Sequence, residues 1–267
     1  MEERLQWIKL APENWAHWEP LRGGLAVHAA LAQRYPRAHC FVVEPDDARR
    51  DAVARALHKP WWNPAHWSGP ATRFETPGEG VVQMVWANMA LHMAGDPQNL
   101  LARWHKALAP DGFLMFSCLG PDTLRAVRDA WHAAGWPPPA HAFTDMHDWG
   151  DMLVNTGFAE PVMDMERITL TFDGARRALE ELRGLGRNLH VARFGAARGR
   201  RWLGLALDAL GRCALPESAG VALEFEVIYG HALKARPRMT IKGETSLSLD
   251  EMRRTLQQGR AVPGPHG

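Results

Sequence analysis

The chain has 267 residues, 46% hydrophobic and 23% charged, which suits one large domain with a true core better than two small ones. Its 31 basic and 30 acidic side chains leave a net charge of +1, so no global field points to nucleic acid. Cys40, Cys118 and Cys213 have no paired spacing, which argues against a disulfide scaffold or a four-cysteine zinc site and for a reducing, cytoplasmic compartment.

The opening MEERLQWIKLAPENWAHWEP carries acids and a proline and has no apolar centre, unlike a signal peptide. No run of apolar residues is long enough to span a membrane, so no membrane partner is expected. Residues 26–34 read as a helix ended by Pro36, and His39–Val43 as a short buried strand closed by Glu44-Pro45. Residues 46–57 have N-terminal acids and apolar residues at Ala48, Val53 and Leu57, the pattern of an amphipathic helix. The Pro-, Gly- and Trp-rich stretch 59–80 reads as loop around at most one short strand near residues 71–74.

Residues 81–86 (VVQMVW) form the next strand candidate. Asp96-Pro97 then supplies an N-cap and a first-turn proline for a helix that stops at Pro110-Asp111-Gly112. Residues 113–118 (FLMFSC) form a further strand, and Gly120-Pro121-Asp122 opens a helix to about Ala134. Apolar runs alternating with helices are the signature of a parallel sheet covered on both faces. The fold expected is therefore α/β: a doubly wound, mostly parallel Rossmann-like sheet.

After the stiff Pro137-Pro138-Pro139, residues 145–155 form a short helix stopped by Gly157, and 161–172 a strand. Two helical stretches, 174–185 and 199–214, precede a final strand at 221–232. Residues 1–233 are thus expected to be one domain, with 173–220 as a helical insertion before the last strand. Residues 234–267 are expected to be a partly disordered C-terminal extension.

Glu44, at the end of the second strand, is placed to accept both hydroxyls of a ribose, because ligands of open α/β sheets sit at the strands' carboxyl ends. The alternative is a solvated acid beside the next helix. Asn88 and His92 follow the central strand and lie where a loop crosses the ligand crevice; alternatively Asn88 satisfies backbone groups in a turn. From Arg183 to Arg201 there are six arginines (Arg183, Arg187, Arg193, Arg198, Arg200 and Arg201) and no acid. Such forks suit carboxylates and phosphates, on an acidic partner protein or a phosphorylated group; the plainer reading is a solvated face. His141, Asp145, His147 and Asp148 lack metal-ligand spacing, Ser117 lacks a nucleophile elbow, and Cys118 reads as core, so no metal is expected.

Together VVEP, VVQMVWANMALHM and LARWHKALAPDGFLMFSCLGPDTL resemble the class I S-adenosylmethionine-dependent methyltransferases. The block FTDMHDWGDMLVNTGFAEPVMDMERITLTFDGARRALEELRGLGRNLH, followed by FEVIYGHALK, resembles the BioC family, the malonyl-acyl-carrier-protein O-methyltransferases of biotin synthesis. It is also similar to the related mitochondrial assembly factors of respiratory complex I. The likeness covers nearly all of residues 1–233. It implies S-adenosyl-L-methionine as cofactor and an acyl carrier protein as partner. It also implies cofactor contacts at Gly23, Gly24, Glu44 and Asn88, and contacts to substrate or partner at His92, Arg183, Arg187, Arg193 and Tyr229.

The chain departs from this family at the first turn. Where the family has V-L-D-x-G-C-G-x-G, this sequence reads Trp15 to Gly23 with His17 at the acidic position and Glu19 and Leu21 at two glycine positions. Gly23 survives, with Gly24 beside it. The family also has an extra N-terminal segment that helps close the site, whereas this chain begins at the IKL element. If the activity persists, a malonyl carboxylate ionised near neutrality needs no general base, and catalysis is positioning. The rival expectations are a methyltransferase fold acting only as a binding or assembly factor, or one holding another nucleotide-like ligand at Glu44.

Overall fold

The computed structural model describes residues 1–58, 62, 70–213 and 220–236. Segment 237–267 and, apart from Trp62, the tryptophan-rich 61–67 stretch lie outside the described residues. Among those described, seven strands form one sheet: β1 (Asn14–Trp18), β2 (His39–Val43), β3 (Thr72–Arg73), β4 (Val82–Ala87), β5 (Leu108–Leu119), β6 (Ala159–Phe172) and β7 (Val221–Leu233). The order is β3-β2-β1-β4-β5-β7-β6. Strands β1 to β5 run parallel, and β7 is antiparallel to both its neighbours. The chain reverses its direction of travel across the sheet between β1 and β4, which creates the switch point where such folds bind ligands.

The inner strands β1, β2, β4 and β5 are mostly apolar and buried because both faces of the sheet are covered there, whereas the edge strands β3 and β6 are largely exposed. On β1, Trp15 packs to one side with Leu31, Val42, Met84 and Trp86. Its neighbours Ala16 and Trp18 pack to the other with Val85, Trp104 and Phe116, as the two-residue period of a strand requires.

The helices are α1 (Pro20–Gly23), α2 (Leu25–Arg34), α3 (Asp47–Leu57), α4 (Pro97–Ala107), α5 (Arg125–Ala133), α6 (Met146–Thr156), α7 (Ala175–Gly184) and α8 (Arg200–Gly211). Their starts follow from capping: Asp46, Asp96 and Asp145 accept the backbone N–H groups of Arg49, Asn99 and His147 at 2.9, 3.0 and 2.8 Å. Gly157 ends α6 at φ 102, a left-handed cap that favours glycine. Helices α7 and α8 lie between β6 and β7 in sequence and share a third core with α5, built on Trp131, Ala178, Ala206 and Phe225.

Two boundaries differ by five residues from those read in the sequence. The helix expected from Gly120 begins only at Arg125, because the preceding turn is pinned to β7. There Glu226 accepts the Asp122 N–H on Oε2 at 2.7 Å, and Leu124 adopts φ 55. Strand β5 begins at Leu108 rather than Phe113. Residues 109–112 bulge out between the Val82–Leu108 and Met84–Phe113 pairings, with Asp111 at φ 63.

Candidate active site

Strand β1 delivers the chain to the switch point, and Glu19 immediately turns it by taking a left-handed conformation, φ 49 and ψ 57. That is a conformation glycine adopts without cost, so the backbone keeps the path of a glycine-type loop although the residue is a glutamate. Pro20 opens α1, where its missing N–H costs nothing. At Gly23 a Cβ would lie 2.9 Å from the Asn88 carbonyl oxygen, so a side chain there would separate the loops after β1 and β4. Gly24 follows at φ 95 with open space where its Cβ would be.

Glu44 is not a solvated helix cap, a role that Asp46 fills. It is only 6% exposed, and its Oε1 accepts the Leu21 N–H at 2.9 Å. Its Oε2 is buried and has no partner among the described residues. Burial raises the carboxyl above its ordinary value; the Leu21 N–H opposes this, Glu19 adds to it, and Arg49 and Arg22 oppose it. The Glu19 carboxylate is itself held by Arg22 Nε at 3.1 Å and Arg49 Nη1 at 3.6 Å.

Beside Glu44 is a cavity of about 310 Å³ bounded by Trp18, Glu19, Asp96, Asn99 and Arg103. The Arg103 guanidinium lies over the Trp18 ring at 5.0 Å. The bulky replacements in the first turn do not fill this space. Leu21 is 43% exposed and does not line the cavity, and Trp18 packs edge-on against Trp104 at 5.9 Å as a wall.

Asn88 is committed inside the protein rather than to a nearby turn. Its Nδ2 donates to the Gly23 carbonyl at 2.6 Å, and its Oδ1 accepts from Ser117 Oγ, which also accepts the Met89 N–H at 3.1 Å. The side chain therefore braces the crevice floor.

A second cavity, about 370 Å³, opens under α7 and α8. Its walls are mainly apolar (Trp131, Phe143, Leu182, Phe194, Trp202 and Phe225), and Arg183, Arg187 and Arg193 lie along it. None of these three arginines forms an ion pair among the described residues; Arg193 donates to the His190 carbonyl at 3.2 Å. His92 and Met93 face this cavity, while Ala94, Gly95 and Asp96 face the one beside Glu44. The five-residue segment 92–96 is thus the partition between them.

Burial, assisted by His141 and Arg22, lowers the His92 imidazole to about 3, so it is neutral at physiological pH. Tyr229 lines neither cavity. It sits on β7 with its hydroxyl on Glu166 and the Arg4 guanidinium 4.7 Å from its ring centroid, and burial with Glu166 raises its phenol to about 12.

Three arrangements were not found from the sequence. His17 and His28 share a hydrogen bond at 3.2 Å with their rings stacked, which explains how a histidine is accommodated where the family has an acid. Ser117 completes the Asn88 brace. His141 faces the cavity under α7 and α8 and donates from Nε2 to the His92 carbonyl at 2.7 Å. Among the described residues, no three metal-binding side chains converge and no helix is long and apolar enough to cross a membrane.

No family model matches the sequence. The chain is 34% identical to the malonyl-[acyl-carrier protein] O-methyltransferase of Gallionella capsiferriformans over 256 residues, covering 91% of this chain and 84% of that protein. It is 32% identical to the protein of that name from Methylovorus sp., covering 90% and 82%. With that from Laribacter hongkongensis it is 40% identical over 167 residues, 60% of this chain and 54% of that protein. Among solved structures, YcgJ of Bacillus subtilis superposes with a TM-score of 0.59 at 11% identity, covering 88% of this chain and 97% of that one. A putative methyltransferase of Bacillus halodurans gives 0.54 at 12% identity, covering 88% and 99%. These two show the fold. The similarity to the Gallionella protein, sustained over most of both chains, shows that this chain belongs to the malonyl-[acyl-carrier protein] O-methyltransferase family.

Proposed function

We propose that this chain methylates the free carboxylate of a malonyl group carried on acyl carrier protein, as a step of biotin synthesis, with S-adenosyl-L-methionine as methyl donor. The observation that carries the reading is Glu44. Glu44 lines a cavity of about 310 Å³ at the switch point and keeps a buried carboxylate oxygen without a partner among the described residues, which suits it to accept a ribose hydroxyl. The cofactor fits the residues present, because the backbone at Gly23 and Gly24 is bare and Glu19 keeps the loop's left-handed turn. When bound, S-adenosyl-L-methionine supplies an electrophilic methyl group.

The chain's own residues do the positioning. Glu44 holds the ribose, the Gly23–Gly24 backbone lies along the amino-acid end, and Asn88 fixes the loop that forms the floor. The apolar cavity under α7 and α8 excludes water from the acceptor, which leaves its carboxylate less solvated and a better nucleophile. Arg183, Arg187 and Arg193 meet the acidic carrier protein. In this reading residues 1–233 are the methyltransferase domain and 173–220 its cap. Unpaired cysteines, with Cys40 and Cys118 buried, fit a cytoplasmic enzyme.

The test is a methyl-transfer assay with radiolabelled S-adenosylmethionine and malonyl carrier protein, run beside melting curves. Label appearing in the carrier and a higher melting temperature with S-adenosylmethionine or S-adenosylhomocysteine are the expected results. A flat melting response to both compounds with no labelled product would leave a binding or assembly factor on a methyltransferase fold.

A further inference from the structure

We propose that His92 is an acceptor-binding residue: from the partition between the two cavities, its Nε2–H donates to the acyl carbonyl of the incoming thioester and so aims the free carboxylate toward the Glu44 side. The inference rests on the methyltransferase reading and assigns a role within that site.

The ring is fixed on several sides. Its Nδ1 accepts the Leu119 N–H at 3.3 Å, its carbonyl accepts from His141 at 2.7 Å, and its face meets the edge of Phe143 with centroids 5.8 Å apart. Because Nδ1 accepts, a neutral ring must carry its proton on Nε2. That nitrogen makes no hydrogen bond among the described residues, and the ring lines a cavity whose other walls are largely apolar. A neutral donor in such a wall recognises a carbonyl oxygen, since an unmatched donor buried by ligand is costly.

Neutrality also suits the chemistry. A cation at this point would ion-pair the carboxylate that must attack and would repel the positive charge of the methyl donor. His141 and Arg22, the groups acting on His92, both disfavour its protonation. The cap arginines sit in the same cavity and offer the competing way to hold an acceptor, by its carboxylate.

The experiment titrates malonyl-pantetheine into the full chain by calorimetry, for the wild type, His92→Leu and His92→Gln, with steady-state kinetics on malonyl carrier protein in parallel. His92→Leu removes the donor and should weaken binding and kcat/KM for the acceptor about tenfold, the size of one neutral hydrogen bond. His92→Gln keeps a neutral donor and should recover most of the loss. Both variants should keep the wild-type melting shift with S-adenosylmethionine, which shows that they are folded. Leucine binding as tightly as histidine, glutamine failing as badly as leucine, or no binding by the wild type would overturn the proposal. If the wild type binds with the expected pattern but transfers no methyl, the assigned activity falls while the role of His92 stands.

Discussion

The Asn88 side chain donates to the Gly23 carbonyl at 2.6 Å, tying the loop after β4 to the loop after β1 across 65 positions of sequence. Ser117 on β5 completes the brace from the other side. Three consecutive strands of the sheet thereby fix one backbone turn. This explains how a first turn with glutamate and leucine at two glycine positions keeps its shape: the fold demands glycine where the loops touch, at Gly23, while Glu19 itself adopts the left-handed turn.

Gly23→Ala should therefore be costly although it adds only a methyl group. Its Cβ would meet the Asn88 carbonyl oxygen at 2.9 Å, a backbone contact that a rotamer change cannot relieve. The expected loss is about 1–3 kcal/mol of stability, with the S-adenosylmethionine melting shift abolished. Urea unfolding and melting curves check both. A variant as stable as the wild type would show that the two loops are free to separate.

Glu44→Gln should stabilise the cofactor-free protein while weakening the cofactor. Burial raises the Glu44 carboxyl, so the native state holds that proton more tightly than the unfolded chain does. Its contribution is favourable while the group is protonated and is lost as pH climbs from 4.5 through the folded value. Glutamine can still accept the Leu21 N–H but carries no charge. The variant should melt higher than the wild type near neutrality, with the gap closing in acid. Its affinity for S-adenosylmethionine should fall about tenfold or more, as for one lost charge-assisted hydrogen bond.

Much of this layout is legible in the sequence. Asp96 is visible as a cap because an acid followed by proline ahead of an apolar period has one obvious use, and Glu44 because it ends a strand of unbroken apolar residues. The partners are not legible. Which groups Asn88 reaches depends on how β1, β4 and β5 lie side by side, and the His17–His28 pair depends on the angle at which α2 returns over β1. The left-handed turn at Glu19 carries no signal, since its residue type argues against it. Tyr229 stands in a family-like stretch, FEVIYGHALK, yet its hydroxyl is used by Glu166 on the neighbouring edge strand. The cap arginines are plain as a charge run, but that three of them line an apolar cavity follows only from how α7 and α8 close over β7.

Acid should destabilise the protein before its carboxylates titrate. Burial, and then His28, lowers the His17 imidazole to about 3 from 6.5, and His92 is lowered to about 3 as well. Each is neutral in the native state while the unfolded chain takes up a proton, so stability is full above 6.5 and is lost as pH falls toward 3. Each group contributes a slope of about 1.4 kcal/mol per pH unit in that window. His17→Leu should remove one such slope, read from urea midpoints across mild acid. An unchanged slope would mean that His17 titrates normally.

Arg187 and Arg193 line the acceptor-side cavity and have no acidic partner among the described residues, so their charge is available to an incoming carrier. Reversing both to glutamate should weaken binding of malonyl carrier protein several-fold, mainly through slower association. The defect should be larger at low salt, because raising the salt screens the attraction that the wild type uses. Binding of malonyl-pantetheine, which has no acidic protein surface, should change much less. Stopped-flow association rates over a salt series separate these terms. Equal losses for the carrier and the small thioester would place the two arginines on the acyl arm and leave the carrier to dock elsewhere.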